Sequence, residues 1–597
     1  MVGQTLDFNA SVTDRDSIAV IIANNWHTWN QLRQPWLAEI QEIRNYVFAT
    51  DTTTTSNKSL PWKNSTTIPK LCQIRDNLHA NYMAALFPHS DWLNWEGSDE
   101  NAETIDKKQA IISYMENKLK QVKFRAFFSQ LVYDYIDYGN IFTTAEWVRD
   151  VEKDPIDNSD IINYIGANPI RISPLDIVFN PVAPTFSKTP KIIRSLKSLG
   201  ELKDAALDEN ASEEDIQLFN YAIDKAVNVR KVHSGLSTDD KDKSESFQID
   251  GFGTLSEYYG SGYVEVLQFF GTLYDNNSDT LLSNHIITVI DRSYVLSKKQ
   301  NPSWLKDSII HAGWRLRPDN LYAMSPLSNL VGMQYRIDHL ENLKADVFDL
   351  IAFPVFKITG NVDEFTYAPN ERIYCGEEGN VEFMHPDVTA LSADVQIQQL
   401  ESRMEEMAGS PRQSMWFRTP GEKTAYEVQL LENNSSRVFV NKVSYLEEMV
   451  EEPLLNLMLE LSRRNMTESD LIRTLDSAIN VVTFSTITKE DLKASGKLRP
   501  IGAAHFARKA NLVQNLTNLA SSALGQDPAV SVHMSGLKTA KLLEQLLDLE
   551  KYSLVSENVR IMEQAETQRL MQAASEQLEV ENATPAGINP AEMENGF

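Results

Sequence analysis

The sequence predicts an α+β protein in which helices predominate. Apolar residues recur at helical spacing in long stretches near the start and again after residue 326, which predicts amphipathic helices. Between them lie short runs of β-branched and aromatic residues bounded by turn-forming residues, which are typical of strands. A chain of 597 residues, 42% of them hydrophobic, can bury several large cores. We therefore expect a folded protein built from several units.

The first part of the chain predicts three helical stretches. Apolar residues at helical spacing run over residues 17–49, and Pro35 predicts a break within them. A polar loop separates this stretch from a second helix, predicted over residues 69–87. The third is predicted as one helix over residues 105–138, because Gly139-Asn140 is a typical helix end.

The middle of the chain predicts a β-rich part. Its candidate strands are rich in β-branched and aromatic residues, and they cover residues 141–148, 169–179, 264–274 and 286–296.

The second half predicts a helix, a small β unit, a second helix, a loop and a long kinked helix. The first helix covers residues 326–352 and ends before Pro354, with a length of about 40 Å if it is continuous. Two β-like runs follow at residues 354–360 and 372–375, and the second helix ends at about residue 408. Pro453 predicts a kink in the long helix that follows the loop.

The charge of the chain restricts its possible partners. With 56 Lys+Arg against 83 Asp+Glu, the formal net charge is −27. Proteins that coat nucleic acid do so with Lys and Arg, which neutralise phosphates and release counterions. We therefore expect any contact with DNA to be local or weak.

No recognisable catalytic constellation is present in the sequence. The two cysteines, Cys72 and Cys375, belong to no C-x-x-C motif, so a zinc site and a disulfide framework are not expected. Residues 420–424 (Pro-Gly-Glu-Lys-Thr) lack the glycine spacing of a phosphate-binding loop. We expect no enzymatic activity, no cofactor and no metal site, and this shifts the interpretation towards a structural protein.

The ordered segments of the second half resemble a known family. Tyr-Ala-Met-Ser-Pro-Leu (322–327) leads into a helix with Leu-Glu-Asn-Leu (340–343) and then Phe-Pro-Val (353–355). Gly-Glu-Lys-Thr-Ala-Tyr-Glu-Val (421–428) opens the long helix, and Leu-Arg-Pro-Ile-Gly-Ala-Ala-His-Phe (498–506) precedes the last helices. Together these segments resemble the portal, or head-to-tail connector, proteins of short-tailed bacteriophages.

The resemblance implies the portal fold, assembled as a ring of twelve copies around a channel for double-stranded DNA at one capsid vertex. In that fold the segments correspond to a wing (1–325), a first stem helix (326–352), a clip (353–388), a second stem helix (389–408), a tunnel loop (409–421), a long kinked helix that returns to the wing (422–499), crown helices (500–581) and a disordered tail (582–597). The implied partners are the major capsid protein, the terminase and tail adaptor or tail tube proteins, with no membrane. The implied location is the virion, after assembly in the host cytoplasm.

Charge within the two stem helices fits a channel through which DNA must slide, because fixed cations would retain a polyanion. Both helices carry more acidic than basic residues. The acidic residues that we expect to line the channel are Asp338, Glu341, Glu401 and Glu405.

The tunnel-loop region has the opposite character. It carries Arg412, Trp416, Arg418 and Lys423, which we expect to touch the DNA backbone transiently and help retain it. An alternative stays open, in which the two arginines pair with acidic neighbours between subunits and Trp416 packs in the ring.

Two further alternatives concern the tail of the chain and the whole protein. The apolar stripe after residue 537 is close to heptad spacing and fits either a crown bundle or barrel, or a hairpin packed within one subunit. Instead of a portal, the chain could be another virion structural or ejection protein, or a cytoplasmic enzyme whose site is not recognised.

Overall fold

The computed structural model describes residues 17–48, 64, 66–87, 92–98, 105–153, 160–205, 220, 263–275, 279–290, 294–305, 308–365, 372–384, 392–408, 438–466, 470–476, 481–502 and 536–546. The chain divides into two compact units, the first formed by residues 1–473 and 484–503 and the second by residues 474–483 and 504–597. The described part mixes helices and strands, which agrees with the predicted α+β class.

The helices, in chain order, are α1 (Ser17–Leu32), α2 (Gln34–Val47), α3 (Lys70–Leu86), α4 (Ile105–Gln121), α5 (Phe124–Asp137), α6 (Leu199–Ala205), α7 (Val331–Ala352), α8 (Asp394–Ala408), α9 (Glu452–Asn465), α10 (Lys489–Leu492) and α11 (Gly536–Leu546). Residues 438–446 are also helical, and a π-helical turn at Glu447–Glu451 joins them to α9.

The strands are β1 (Leu93–Gly97), β2 (Asn140–Lys153), β3 (Asp160–Arg171), β4 (Ile177–Phe179), β5 (Lys191–Ser198), β6 (Tyr263–Asp275), β7 (Thr280–Ile290), β8 (Tyr294–Gln300), β9 (Ile310–Gly313), β10 (Arg315–Arg317), β11 (Asn320–Met324), β12 (Val355–Thr359), β13 (Asn380–Met384), β14 (Asp470–Asp476), β15 (Val481–Ile487) and β16 (Gly496–Pro500).

The two larger sheets are an antiparallel five-stranded sheet in the order β4-β5-β6-β7-β8 and a three-stranded sheet in the order β3-β2-β9. Four two-stranded sheets pair β1 with β16, β10 with β11, β12 with β13, and β14 with β15. The β1–β16 pair joins residues near the start of the chain to residues near 500, with Trp95 opposite Leu498.

One large hydrophobic core unites most of the described part of the first unit. It takes side chains from α2 to α5, from the three-stranded sheet, from α7 and α8 and from α9. A second, smaller core lies where α1 packs on the five-stranded sheet, with Ile22 and Trp26 against Leu267, Phe269 and Ile287. The helices predicted from the second half of the sequence are thus built onto the N-terminal helices through shared apolar packing.

The predicted helix over residues 105–138 is wrong in one respect, because the structure divides it into α4 and α5. Lys123, between the two, adopts a left-handed backbone conformation (φ 52°) that a continuous α-helix does not allow. The apolar pattern continues through the break because both helices contribute to the same core, from Ile111 to Tyr135. The apolar pattern therefore predicted correctly that these residues are buried, and wrongly that they form one continuous helix.

Two predicted strands are also divided. The run at residues 169–179 contains the end of β3 and the short β4, and the run at 286–296 contains the end of β7 and the start of β8. In each case the apolar pattern continues from one strand to the next, because residues of both strands pack into a core. The break at Pro35 is confirmed: α1 ends at Leu32, and Pro35 lies in the first turn of α2, where its missing N–H costs nothing.

The junction between α5 and β2 sets the path of the chain into α7. Gly139 has φ +68°, and a Cβ atom on it would lie 2.5 Å from the backbone of Met324. Asn140, fully buried, accepts hydrogen bonds from the Ala323 N–H and from Nε2 of His311, and it donates to the Tyr138 and Ala323 carbonyls. The end of α5 and the segment before α7 are therefore in direct backbone contact.

Ser325 completes this junction. Its hydroxyl donates to the carbonyl of Ile136 over 2.6 Å and accepts from the N–H of Leu327. Three residues later the chain enters a short 3₁₀ turn (Ser328–Leu330) that continues directly into α7. The start of α7 is thus held by the end of α5.

The break between α1 and α2 is held by a buried arginine. Arg33 donates to Asn30 Oδ1 and to the carbonyls of Pro174, Leu175 and Ile177. Burial lowers the pKa of the Arg33 guanidinium, and the nearby Tyr322 hydroxyl opposes that effect. Five donors on a planar group suit this role, since one side chain satisfies two carbonyls of the turn before β4 and the carbonyl of the first residue of β4.

Gly139→Ala should destabilise the first unit by about 2 kcal/mol or more, because the substitution adds left-handed backbone strain to a collision with Met324. Urea-induced unfolding followed by tryptophan fluorescence measures the change. Gly332→Ala is the matched control: nothing lies within 4 Å of its added Cβ, and a helical Gly→Ala change should be neutral or stabilising by up to about 1 kcal/mol. Equal effects of the two substitutions would contradict the account of the junction.

Candidate assembly site on two paired helices

Helices α7 and α8 pack against each other and carry a small β unit between them. Ile337 and Leu340 of α7 and Ile397 and Met404 of α8 are buried in the large core. Lys344 of α7 bridges the pair, since its ammonium donates to Asp394 of α8 and lies 3.2 Å from Glu341. The hydrogen bond to Asp394 and the neighbouring Glu341 raise the pKa of Lys344, against the smaller effect of desolvation.

The β unit is a two-stranded antiparallel sheet whose two faces differ. Residues directly opposite each other share a face, so Phe356–Phe383 and Ile358–Val381 form one face and are all apolar. The other face carries Val355–Met384, the ion pair Lys357–Glu382 (3.6 Å) and Thr359–Asn380. We call the Phe356, Ile358, Val381 and Phe383 surface the apolar face.

The apolar face is only partly covered within the chain. The Phe356 ring contacts Phe365 and Phe383, with ring centroids 5.5 and 5.2 Å apart. Even so, Ile358 is 53% exposed and Phe383 is 41% exposed. Large apolar side chains around it are exposed as well: Phe348, Ile351, Phe353 (74%), Val355, Ile373, Tyr374, Met384 and Val395.

This concentration of apolar surface is unusual for a chain in water. Single exposed apolar residues are ordinary, but exposed apolar residues concentrated on both faces of one small sheet and on the helix ends that flank it in the sequence are typical of an interaction surface. A two-stranded sheet is also marginally stable by itself. The arrangement can therefore bury its apolar face only against something outside the described residues.

The partner strand within this unit differs from the predicted one. The sequence placed the second run at residues 372–375, whereas the strand that pairs with β12 is β13 (Asn380–Met384). Residues near 372–375 form only an isolated bridge, between Val362 and Cys375. Gly360 makes the turn out of β12 with φ +78°, and a Cβ atom there would lie 2.1 Å from the Glu378 carbonyl oxygen. The turn thereby brings residues 376–379 against the end of β12.

A second feature of α7 is a row of four polar side chains on its buried face. Gln334, Asp338, Asn342 and Asp346 follow one another at intervals of four residues, and all four are buried. Each side-chain oxygen accepts a hydrogen bond from a backbone N–H of the segment before α3 or of the first turn of α3. The pairs are Leu71 to Gln334 (3.1 Å), Ile68 to Asp338 (2.9 Å), Thr66 to Asn342 (2.8 Å) and Asn64 to Asp346 (2.8 Å).

We call these four side chains the polar ladder, and Asn64 with residues 66–69 the docked segment. Four residues of helix advance about 6 Å and two residues of extended chain advance about 6.6 Å, so alternate N–H groups meet successive turns of the helix. The two chains run in opposite directions over about 18 Å of helix. Leu71, in the first turn of α3, gains an acceptor for an N–H that its own helix cannot satisfy.

The four predicted acidic residues occupy different environments. Asp338 is fully buried and belongs to the polar ladder. Glu405, nearly buried, pairs with Lys70 of α3 over 2.7 Å. Glu341 pairs with Lys344 and is half-buried, as is Glu401. Asp338 and Glu405 therefore serve contacts inside the chain, which corrects their placement on a channel surface, and Glu341 and Glu401 stay candidates.

The four predicted DNA-contact residues, Arg412, Trp416, Arg418 and Lys423, lie outside the described residues. The same is true of the whole predicted tunnel loop (409–421) and of most of the predicted crown and tail. Their roles remain predictions.

The long kinked helix departs from regular geometry one turn before its proline. Pro453 has no N–H to give to the carbonyl of Met449, and the π-helical turn at Glu447–Glu451 lies at that position. Glu451 is fully buried and neither of its carboxyl oxygens has a hydrogen-bond partner. Burial raises the pKa of Glu451 well above its ordinary value, and Glu447 four residues earlier raises it further.

The described residues contain no metal site of the usual kind, because no group of three or more His, Cys, Asp or Glu side chains among them has an arrangement that could hold a metal ion. Within the same part of the chain, no helix combines the length and the apolar character needed to cross a bilayer.

The polar ladder and the apolar face both have a signal in the sequence. Gln334, Asp338, Asn342 and Asp346 recur every four residues, a spacing that places polar side chains on one face of a helix, whereas acidic residues on a helix usually indicate a charged, exposed surface. The alternation in Val-Phe-Lys-Ile (355–358) indicated a sheet with one apolar face, without indicating that this face stays exposed.

Lys70→Met should destabilise the chain by about 2–4 kcal/mol, because it removes the cation that faces a nearly buried carboxylate. Chemical denaturation measures the change. The double variant Lys70→Met/Glu405→Gln should recover a large part of the loss, since the uncompensated charge is gone. As a matched control, Lys357→Met breaks the exposed pair with Glu382 and should cost less than about 1 kcal/mol. An additive double variant would contradict a direct Lys70–Glu405 interaction.

Comparison of the chain with protein-family models and with curated proteins found no match.

Proposed function

We propose that this protein is the portal of a short-tailed bacteriophage, a ring-forming subunit at one capsid vertex through which double-stranded DNA is packaged and ejected. In this proposal the paired helices α7 and α8 are the two stem helices, and the β12–β13 unit is the core of the clip. The proposed ring has twelve copies, as in the family that the sequence resembles, and it meets the capsid protein, the terminase and tail adaptor or tail tube proteins.

The observation that carries the proposal is the exposed apolar face at the end of the paired helices. Phe356, Ile358, Val381 and Phe383 form one face of a sheet that a single copy leaves partly open to water. In a closed ring each copy would offer this unit to its neighbours, and burial would gain roughly 25 cal/mol for each Å² of apolar surface. A closed ring also repeats this contact between all neighbouring copies, so that no subunit stands at an open end.

The order of elements supports the same assignment. A helix, a small β unit, a second helix and a helix bent before Pro453 follow one another as in the segments that resemble portals. The net charge of −27 suits a protein that lets DNA move without holding it. Glu341 and Glu401, half-buried in one copy, are the acidic residues that remain available for a channel surface.

The assembly itself is the first test. Negative-stain images and native mass spectrometry of the purified chain should give a closed ring with a central hole. The double variant Ile358→Ser/Phe383→Ser should weaken ring formation, because it makes the apolar face polar, while the thermal unfolding of the subunit changes little.

The matched control is Leu281→Ser, which removes an equally exposed apolar side chain (63%) at the β6–β7 hairpin and should leave the ring intact. A monodisperse monomer under all conditions would contradict the proposal. Long helical assemblies without a closed ring would favour another virion structural protein instead.

The second test concerns DNA. Neutralising Arg412 and Arg418 to Gln should change the retention of packaged DNA without preventing ring formation, because fewer fixed cations meet the phosphates. Nuclease protection of DNA in assembled heads measures retention. Retention equal to that of the unaltered protein would remove these arginines from the DNA path, and loss of the ring would favour the alternative in which they pair between subunits.

A further inference from the structure

The polar ladder contains a carboxyl group in an unusual electrostatic position. Asp338 is fully buried, and its Oδ1 atom accepts hydrogen bonds from the Ile68 N–H and from the Gln334 side-chain amide. Its Oδ2 atom is buried and has no hydrogen-bond partner among the described residues. A buried ionised carboxylate is stable only when its charge is compensated, so the surroundings of Asp338 decide its protonation state.

Two lysines on the elements around Asp338 are paired with other carboxylates, and Arg336 of α7 and Arg403 of α8 are exposed to solvent. Lys70, at the start of α3, pairs with Glu405 of α8, and Lys344 of α7 pairs with Glu341 and Asp394. Asp346, the next acidic member of the ladder, accepts hydrogen bonds from the backbone and the side chain of Asn64. Within the described part of the chain, the groups that stabilise the ionised form of Asp338 are two neutral donors, the Ile68 N–H and the Gln334 amide.

The loss of hydration on burial therefore has the largest effect on the pKa of Asp338. Desolvation raises the pKa of Asp338 from its ordinary value of 3.8 to about 6, and the two hydrogen bonds only partly oppose this effect. The carboxyl group can be protonated while the Oδ1 atom still accepts from Ile68, because a neutral carboxyl keeps its carbonyl oxygen as an acceptor.

We propose that the polar ladder is a proton-linked clamp, in which a neutral Asp338 holds the docked segment against α7 tightly and an ionised Asp338 holds it more loosely. The geometry supports this directly. The docked segment is bound by its backbone to one helix face, and its release would return the Asp338 carboxylate to water. The clamp joins the segment before α3 to the face of α7 that carries the polar ladder. It does not depend on the proposed portal function.

The direction of the effect follows from proton linkage. The docked state binds the proton more tightly than the released state, because its pKa is the higher of the two. The extra stability is complete below the ordinary value near 3.8 and is lost as the pH rises through about 6. The clamp is therefore tighter in mild acid and looser at neutral pH.

Hydrogen–deuterium exchange of the full chain, in whatever assembly it forms, measures the clamp at the amides of Thr66 and Ile68. Rates are divided by those of a free peptide covering residues 60–75, which removes the intrinsic effect of pH. The protection factor should be about tenfold greater at about pH 5 than at about pH 7.5, given pKa values near 6 and 3.8.

Two variants test whether the Asp338 carboxyl group is the one that binds the proton. Asp338→Asn keeps an acceptor for the Ile68 N–H but cannot ionise, so the protection of the docked segment should no longer depend on pH. Glu341→Gln, on the same helix and half-buried, should keep the tenfold dependence. The clamp is disproved if the unaltered chain shows equal protection at both pH values or if Asp338→Asn keeps the dependence. Should that variant fail to fold, the measurement on the unaltered chain decides alone.

Discussion

The contact between the end of α5 and the segment before α7 is the constraint on which the architecture of the first unit depends. Gly139 approaches the Met324 backbone so closely that only a glycine fits, and Asn140 binds both the N–H and the carbonyl of Ala323. Ser325 then ties the chain to Ile136. These contacts fix where α7 begins and in which direction it leaves the core, and α8 and the β12–β13 unit follow from that direction.

Helix α7 combines two environments along one length. From Val331 to Asp346 it lies against the rest of the first unit, with Ile337 and Leu340 buried and the polar ladder bound to the docked segment. Its last turns expose Phe348 and Ile351, shortly before the exposed apolar face of β12–β13 in the sequence. The anchored part fixes the position of the helix, and the exposed end presents apolar surface. A surface of that kind suits assembly better than a flexible loop would, because little conformational entropy is lost when it is buried.

Periodicity was sufficient to predict the elements, and insufficient to predict which polar groups they bury. The helix that ends before Pro354 and the strand that follows it were both visible in the sequence, and the irregular helical geometry lies next to Pro453, where the sequence predicts a kink. The role of Asp338 was not, because an acidic residue on an amphipathic helix normally faces water. Its burial depends on the backbone N–H group of Ile68, 270 residues earlier in the chain. Likewise, the alternation in β12 is compatible with an apolar face but does not indicate that the described residues leave this face exposed.

The π-helical turn at Glu447–Glu451 has a consequence for the helix on either side of it. A π turn holds one more residue than an α turn, and each residue of an α-helix rotates the side-chain direction by about 100°. Residues 438–446 therefore present a different face to their surroundings than they would on an uninterrupted extension of α9. The rotation of residues 438–446 about the helix axis is thus set at a single turn. The one extra residue in that turn changes the direction of side chains up to two turns away.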